Sequence, residues 1–182
     1  MSSSEQIALE LDHVSKHYGP VVALRDATLK LKRHSVLGLV GENGAGKSTI
    51  ISIINGTRAP TSGTVKVNGT EQQFSSPGEA ARLGVATVFQ EQGLVSNLKV
   101  YENILLGREK QFSRLGILNS ESMANFANMI FDELGLHIDP RGRTGDLSFG
   151  QRQLVEIAKA FSLGHLYPVE PIVLLDEPTS AL

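Results

Sequence analysis

With 182 residues, 41% of them hydrophobic, 20% charged and 5% aromatic, the chain has the length of one domain with a core of its own, and its composition excludes collagen-like, coiled-coil and disordered classes. Seventeen basic against nineteen acidic side chains leave a net charge of -2. No global field therefore exists to hold a nucleic-acid backbone or an anionic membrane, and any phosphate must be captured locally. The absence of cysteine excludes a disulfide framework and a thiolate zinc site. The opening MSSSEQIALELDH has neither the basic start nor the apolar stretch of a secretory signal. No run approaches the ~20 apolar residues needed to span a bilayer. The chain is thus expected to be soluble and cytosolic, with any membrane work done through a partner.

In chain order, residues Ile7 to Val14 and Val21 to Leu31 alternate loosely on either side of His17-Tyr18-Gly19-Pro20, which predicts two antiparallel strands. Ser35-Val36-Leu37-Gly38-Leu39-Val40 is a short apolar run of the kind a buried central strand shows. After a glycine-rich turn, Lys47 to Asn55 carries four isoleucines and reads as a helix buried on most sides. Gly63 to Gly69 predicts a strand and turn, Pro77 to Leu83 a short helix opened by proline, and Val85 to Phe89 a buried strand. Between Gln90 and Leu147 the pattern turns helical: Tyr101 to Leu106 is one segment. In Ser120 to Leu134, Met123, Ala127, Ile130, Phe131 and Leu134 lie along one face. Gln151 to Leu163 is a further helix, with Leu154, Ile157, Ala158 and Phe161 expected on its buried face, and Pro171 to Leu175 is a short apolar strand ending at Asp176. Strands alternating with helices imply an α/β fold with a parallel sheet covered on both faces.

Gly41-Glu42-Asn43-Gly44-Ala45-Gly46-Lys47-Ser48-Thr49 satisfies G-x-x-x-x-G-K-[ST] between a predicted strand and a predicted helix. Glycines let such a backbone wrap a polyphosphate with its N–H groups inward, and the helix that follows adds its positive end. Lys47 is placed to reach the β- and γ-phosphates and the Ser48 hydroxyl to ligate Mg²⁺. The strand Ile172 to Leu175 delivers Asp176 and Glu177 at its C-terminal end, where open α/β sheets bind ligands. Asp176 suits a water-mediated hold on Mg²⁺, and Glu177 suits activation of the water that attacks a γ-phosphate. The five histidines, at 13, 17, 34, 137 and 165, show no metal-ligand spacing.

Leu147-Ser148-Phe149-Gly150-Gln151 is close to the signature LSGGQ, and Asp176-Glu177-Pro178-Thr179-Ser180-Ala181-Leu182 follows it. With the phosphate loop upstream, the chain resembles a nucleotide-binding domain of the ATP-binding cassette (ABC) superfamily from about Ile7 to its last residue. The resemblance implies a P-loop NTPase core with a parallel sheet, an N-terminal antiparallel β subdomain and a helical signature subdomain at about residues 91–150 of a single 1–182 domain. It implies that Tyr18 stacks on adenine and that Gln90 contacts Mg²⁺ and water near the surface coupled to membrane subunits. It also implies that the signature of one cassette, Leu147 to Gln151, closes on the ATP held by another, with Ser148 touching its γ-phosphate. Phe149 stands where glycine is commonest, so any need for a positive φ there would be strained.

The family ordinarily continues past the D-E-P-T-S-A-L segment into another strand and a histidine that touches the γ-phosphate. A cassette truncated at its C-terminus, weakly active by itself, is therefore expected. Val100 to Glu109, Phe149 and Leu154-Val155-Glu156-Ile157-Ala158-Lys159-Ala160 are together similar to the first cassette of tandem ABC proteins that energise monosaccharide import. That likeness implies an ATP hydrolase using ATP and Mg²⁺, peripheral to the cytoplasmic face of the membrane. Its partners would be a second cassette, transmembrane permease subunits and an extracytoplasmic solute-binding protein, with no nucleic acid. Related cassettes serve nucleoside uptake, and soluble ABC ATPases act on ribosomes or DNA. Gln90 to Leu147 is too short, and too poor in heptads, for the coiled-coil insertion of the DNA-acting members. A small-molecule kinase sharing the phosphate loop would leave Leu147 to Gln151 unexplained.

Overall fold

The structure, a computed structural model, describes residues 6–88 and 93–175. The chain divides into two compact units, Met1–Ala86 and Thr87–Leu182. The first is built on a four-stranded antiparallel sheet. Strands β1 (Ile7–Tyr18) and β2 (Val21–Lys32) form the expected hairpin around Gly19-Pro20 and run longer than the alternation predicts. Helix α1 (Lys47–Ile54) buries Ile51, Ile53 and Ile54. Strands β3 (Ser62–Val67) and β4 (Thr70–Gln72) are joined by Asn68-Gly69, both at positive φ, the backbone twist a two-residue hairpin needs. Sheet order is β2-β1-β3-β4. Leu9 and Leu11 face Val67 and Val65 across the β1–β3 ladder, and this pairing of buried alternate residues fixes the register. Helix α2 (Pro77–Arg82) starts at a proline, capped by Ser76, and the Glu79 carboxylate accepts from both the N–H and the hydroxyl of Ser75 at 2.8 Å.

Halfway along β1 the ladders slip. His13 and Asp26 both have φ near +50°, and the register shifts between Leu11 and Val14 against β2 and between Asp12 and Ser15 against β3. Side chains take the backbone donors this bulge releases: His13 N–H donates to Thr28 Oγ1 at 3.1 Å and Asp26 N–H to Ser15 Oγ at 3.0 Å. Gly63, at φ +83°, lies against the bulge so closely that a Cβ there would collide with the His13 carbonyl.

The short strand β5 (Val85–Val88) pairs with β8 (Ile172–Leu175). The described residues of the second unit otherwise form helices and one small hairpin: α3 (Val100–Ile104), the hairpin β6 (Ser113–Arg114) and β7 (Ile117–Leu118), α4 (Ser120–Glu133) and α5 (Phe149–Leu166). Val100, Ile104, Phe131, Ile130 and Val155 meet in one core. Helix α4 buries Met123, Ala127, Ile130 and Phe131, as its spacing predicts. No helix among the described residues is long and apolar enough to cross a membrane.

Two expectations need correcting. Ser35 to Val40 forms no strand, and Val36 and Val40 are fully exposed. An apolar run records a demand for neighbours, and among the described residues no strand pairs with it, so its backbone groups stay in solvent. Helix α5 is rotated relative to the predicted face: Val155, Ala158, Ser162 and Leu163 are buried, whereas Leu154 and Phe161 are exposed. The helix is apolar on two adjoining stripes, and the one rich in small residues packs against α3 and α4, a choice that counting apolar residues leaves open.

The bulge yields a prediction. Gly63→Ala adds a left-handed alanine and a backbone clash and is expected to cost about 2–4 kcal/mol in denaturant unfolding; a loss below about 0.5 kcal/mol would show the bulge to be pliable.

Candidate functional site

The glycine-rich loop takes its shape from its own backbone. Gly44 and Gly46 adopt left-handed φ of +85° and +89°, open to glycine and strained for other residues. Gly46 is the N-cap of α1 and sits so near β2 that a Cβ would come 3.0 Å from the Ala23 carbonyl oxygen. The loop closes through Ala45 N–H to Glu42 O at 3.1 Å. Lys47 then folds back, its ammonium donating to Gly41 O at 2.7 Å and Glu42 O at 3.0 Å. An ammonium with three donors, held over the loop by two neutral carbonyls, can exchange them for anionic oxygens, which make stronger charge-assisted bonds. The first N–H groups of α1 have no carbonyl to bond within the helix, so the same end offers donors and a positive dipole. Ser48 is exposed on that first turn, an oxygen donor of the hard kind Mg²⁺ takes. Among the described residues no group of three or more His, Asp or Glu side chains could hold a metal ion.

Tyr18 ends β1 with its ring partly exposed and the Lys16 ammonium 5.3 Å from the ring centroid. Lys16 Nζ also donates to Ala59 O at 2.6 Å, and Thr61 N–H to Ser15 O at 2.8 Å. The segment after α1 is thereby tied to the strand that carries Tyr18.

In the second unit Leu147 to Gln151 forms a helix start. Ser148 is the N-cap of α5: its Oγ accepts from Gln151 N–H at 3.3 Å, while Gln151 Oε1 accepts from Ser148 N–H at 2.9 Å, a reciprocal capping box. The hydroxyl still has its own hydrogen to give an anion. Phe149 is the first residue of the helix and has no positive φ, so replacing glycine there brings no backbone strain. Gln90, Asp176 and Glu177 lie outside the described residues.

Asn103 was not visible as a site-building residue in the sequence. Fully buried, it accepts from Val95 N–H at 2.8 Å and donates to Val95 O at 2.9 Å and to Thr144 Oγ1 at 2.8 Å. Thr144 N–H bonds Leu98 O and Gly145 N–H bonds Ser96 O, both at 3.0 Å. One side chain thus joins residues 95–98 to the segment that leads into Ser148. The available signal was an asparagine inside an apolar helical run, since a buried amide must find partners.

Compared with known proteins, residues 24–180 match the family described as ABC transporter. The chain is similar to the arabinose import ATP-binding protein AraG of Pseudomonas savastanoi pv. phaseolicola, 43% identical over 175 residues that make up 96% of this chain and 33% of AraG. It is similar to the ribose import ATP-binding protein RbsA 1 of Rubrobacter xylanophilus, 41% identical over 174 residues, 96% of this chain and 34% of that protein. The chain spans about a third of the length of these relatives. Among solved structures, a dimeric ATP-binding cassette in a post-hydrolysis state with ADP and Pi superposes with a TM-score of 0.73 at 28% identity, covering 96% of this chain and 75% of that one.

Removing the Asn103 amide takes away its hydrogen bonds to Val95 and Thr144 and strands the fully buried Thr144 hydroxyl, at about 1–3 kcal/mol. Asn103→Ala is expected to lower unfolding free energy by about 2–4 kcal/mol; a chain that melts unchanged would show that residues 95–98 hold their place by packing alone.

Proposed function

Since the chain belongs to the ABC transporter family, we propose that it is the ATP-binding and ATP-hydrolysing cassette of an importer of a small solute, with a monosaccharide as the cargo of the complete transporter. The observation that carries the reading is the loop: left-handed Gly44 and Gly46 set Lys47 and the α1 N-terminus around a space suited to a polyphosphate. The relatives named for arabinose and ribose import support the choice of cargo.

In the proposed mechanism ATP lies with its adenine against Tyr18 and its phosphates in the loop Gly41, Glu42, Asn43, Gly44, Ala45, Gly46, Lys47, Ser48 and Thr49. Lys47 releases the carbonyls of Gly41 and Glu42 for the β- and γ-phosphates. Ser48, Gln90 and Asp176 are the residues that would hold Mg²⁺, which when bound neutralises charge developing on the transferred group. Glu177 takes the proton of the attacking water, so that the oxygen reaches the γ-phosphorus in line while ADP leaves on the opposite side. Ser148 donates its hydroxyl hydrogen to a γ-phosphate oxygen in a second cassette, and the N-terminus of α5 adds its dipole. Closing and reopening of two cassettes would be passed to permease subunits at the cytoplasmic face of the membrane through the segment around Gln90 and a helical subdomain at about residues 91–150. An extracytoplasmic solute-binding protein would supply the cargo.

The tests separate binding from chemistry and use the assembled transporter. Lys47→Ala is expected to weaken ATP binding about 10-fold or more. Glu177→Gln should keep ATP affinity and lower steady-state hydrolysis about 100-fold or more. Undiminished turnover in Glu177→Gln would remove Glu177 from the role of base. Uptake in vesicles of labelled arabinose, ribose and a nucleoside then reads the cargo directly.

A further inference from the structure

Lys16 and Tyr18 stand two residues apart on β1 and share one face of the strand. The Lys16 ammonium lies over the Tyr18 ring, 5.3 Å from its centroid, within the range at which a ring face attracts a cation. It is held there from outside the strand: Lys16 Nζ donates to Ala59 O, 43 residues away, at 2.6 Å. The segment that carries Ala59 is fastened on both sides of Lys16, Thr61 N–H donating to Ser15 O at 2.8 Å and His17 N–H to Thr61 Oγ1 at 3.0 Å. It is also bound to the helix that follows the phosphate loop, since Arg58 N–H donates to Ser52 O of α1 at 2.9 Å. All of these residues belong to the first unit.

What this contact decides is the setting of the ring. Tyr18 sits at the end of the hairpin, and Val21 and Val22, the cross-strand partners of Tyr18 and His17, are exposed as Tyr18 is. Core packing therefore does little to fix the ring plane there. We infer that Lys16 is a positioning residue of the nucleotide site: anchored on the Ala59 carbonyl, its ammonium covers one face of Tyr18, leaves the opposite face for the base, and sets that face relative to α1. This deepens the ATPase reading above and rests on adenine stacking at Tyr18. A ring whose π density is drawn toward a cation on one side repels a second π system less on the other. The hydrogen bond is to a neutral carbonyl, so the positive charge remains available to the ring. Methionine at position 16 would still cover the ring, without a charge and without a donor for Ala59 O, whereas arginine would keep both.

Substitutions in the assembled transporter test this. Lys16→Met is expected to raise KM for ATP about 5-fold while kcat stays within about two-fold, as when binding is lost equally from ground and transition states. Lys16→Arg should bring KM back to within about two-fold of the unaltered protein. Inorganic tripolyphosphate, which has the phosphates and no base, should inhibit the unaltered protein and Lys16→Met equally, since the loop is untouched. Added to Tyr18→Ala, Lys16→Met should raise KM no further, because the two act as one unit. An unchanged KM in Lys16→Met, no recovery in Lys16→Arg, weaker inhibition by tripolyphosphate or a further rise in the double variant would each overturn the proposal. In the 182-residue chain itself, the Lys16 Cε protons should resonate upfield under the ring and lose that shift in Tyr18→Leu. Unshifted protons would overturn the contact without any nucleotide. The two readings fail differently. A KM that Tyr18→Ala leaves unaltered removes adenine from Tyr18 and the proposal with it, whereas a KM raised by Tyr18→Ala and untouched by Lys16→Met removes Lys16 alone.

Discussion

The second unit depends on one buried amide. Asn103 needs both halves of its side chain: Oδ1 accepts from Val95 N–H while Nδ2 serves Val95 O and Thr144 Oγ1. Aspartate would set an oxygen against the Val95 carbonyl, and leucine would remove all three bonds and strand the fully buried Thr144 hydroxyl at about 1–3 kcal/mol. Because Val95 and Thr144 are held by the same side chain, the chain entering α3 and the chain entering α5 cannot shift independently. An isolated antiparallel β-bridge between Lys99 and Arg143 extends that joint. From there the 3₁₀ turn Thr144–Asp146 leads directly into Leu147 and the cap at Ser148.

The phosphate loop uses a different device. Its shape is set by backbone conformations that glycine can adopt, and its charge is parked on carbonyls of the same loop. A neutral carbonyl is a weaker acceptor for an ammonium than a phosphate oxygen. Exchange of one for the other requires Lys47 to move and leaves the loop where it is. The nearness of Gly46 to the Ala23 carbonyl fixes the start of α1 on β2, so the helix end that would face an anion is positioned by the antiparallel sheet.

How much of this was legible in the sequence follows from the kind of interaction. The hairpin of β1 and β2, the α1 and α4 helices and the proline-led α2 were readable, since each is dictated by local periodicity or by a turn residue. The left-handed glycines of the loop and the helix start at Ser148 are set by residues close in sequence, so their backbone geometry is local too. The seat of α5 was not, because Leu154 and Val155 are equally apolar and only the partners across the core choose between them. Asn103 was opaque for the same reason: its partner Thr144 lies 41 residues away. The extent of β1 beyond Val14 was missed at the bulge, where His13 takes a conformation that the alternation of neighbours cannot reveal.

Phe149 shows how such a site tolerates change. In the signature a glycine at this position looks indispensable if its freedom of backbone is what matters. Here the residue opens a regular helix, and the cap that orders it is made by Ser148 and Gln151 on either side. What a γ-phosphate would meet is a serine hydroxyl and a helix end, and both are properties of the neighbours and the backbone. The side chain at 149 is partly exposed, so its size is felt by whatever faces the helix start. Phenylalanine at this position therefore bears on fit between surfaces, and the capped helix start is left in place.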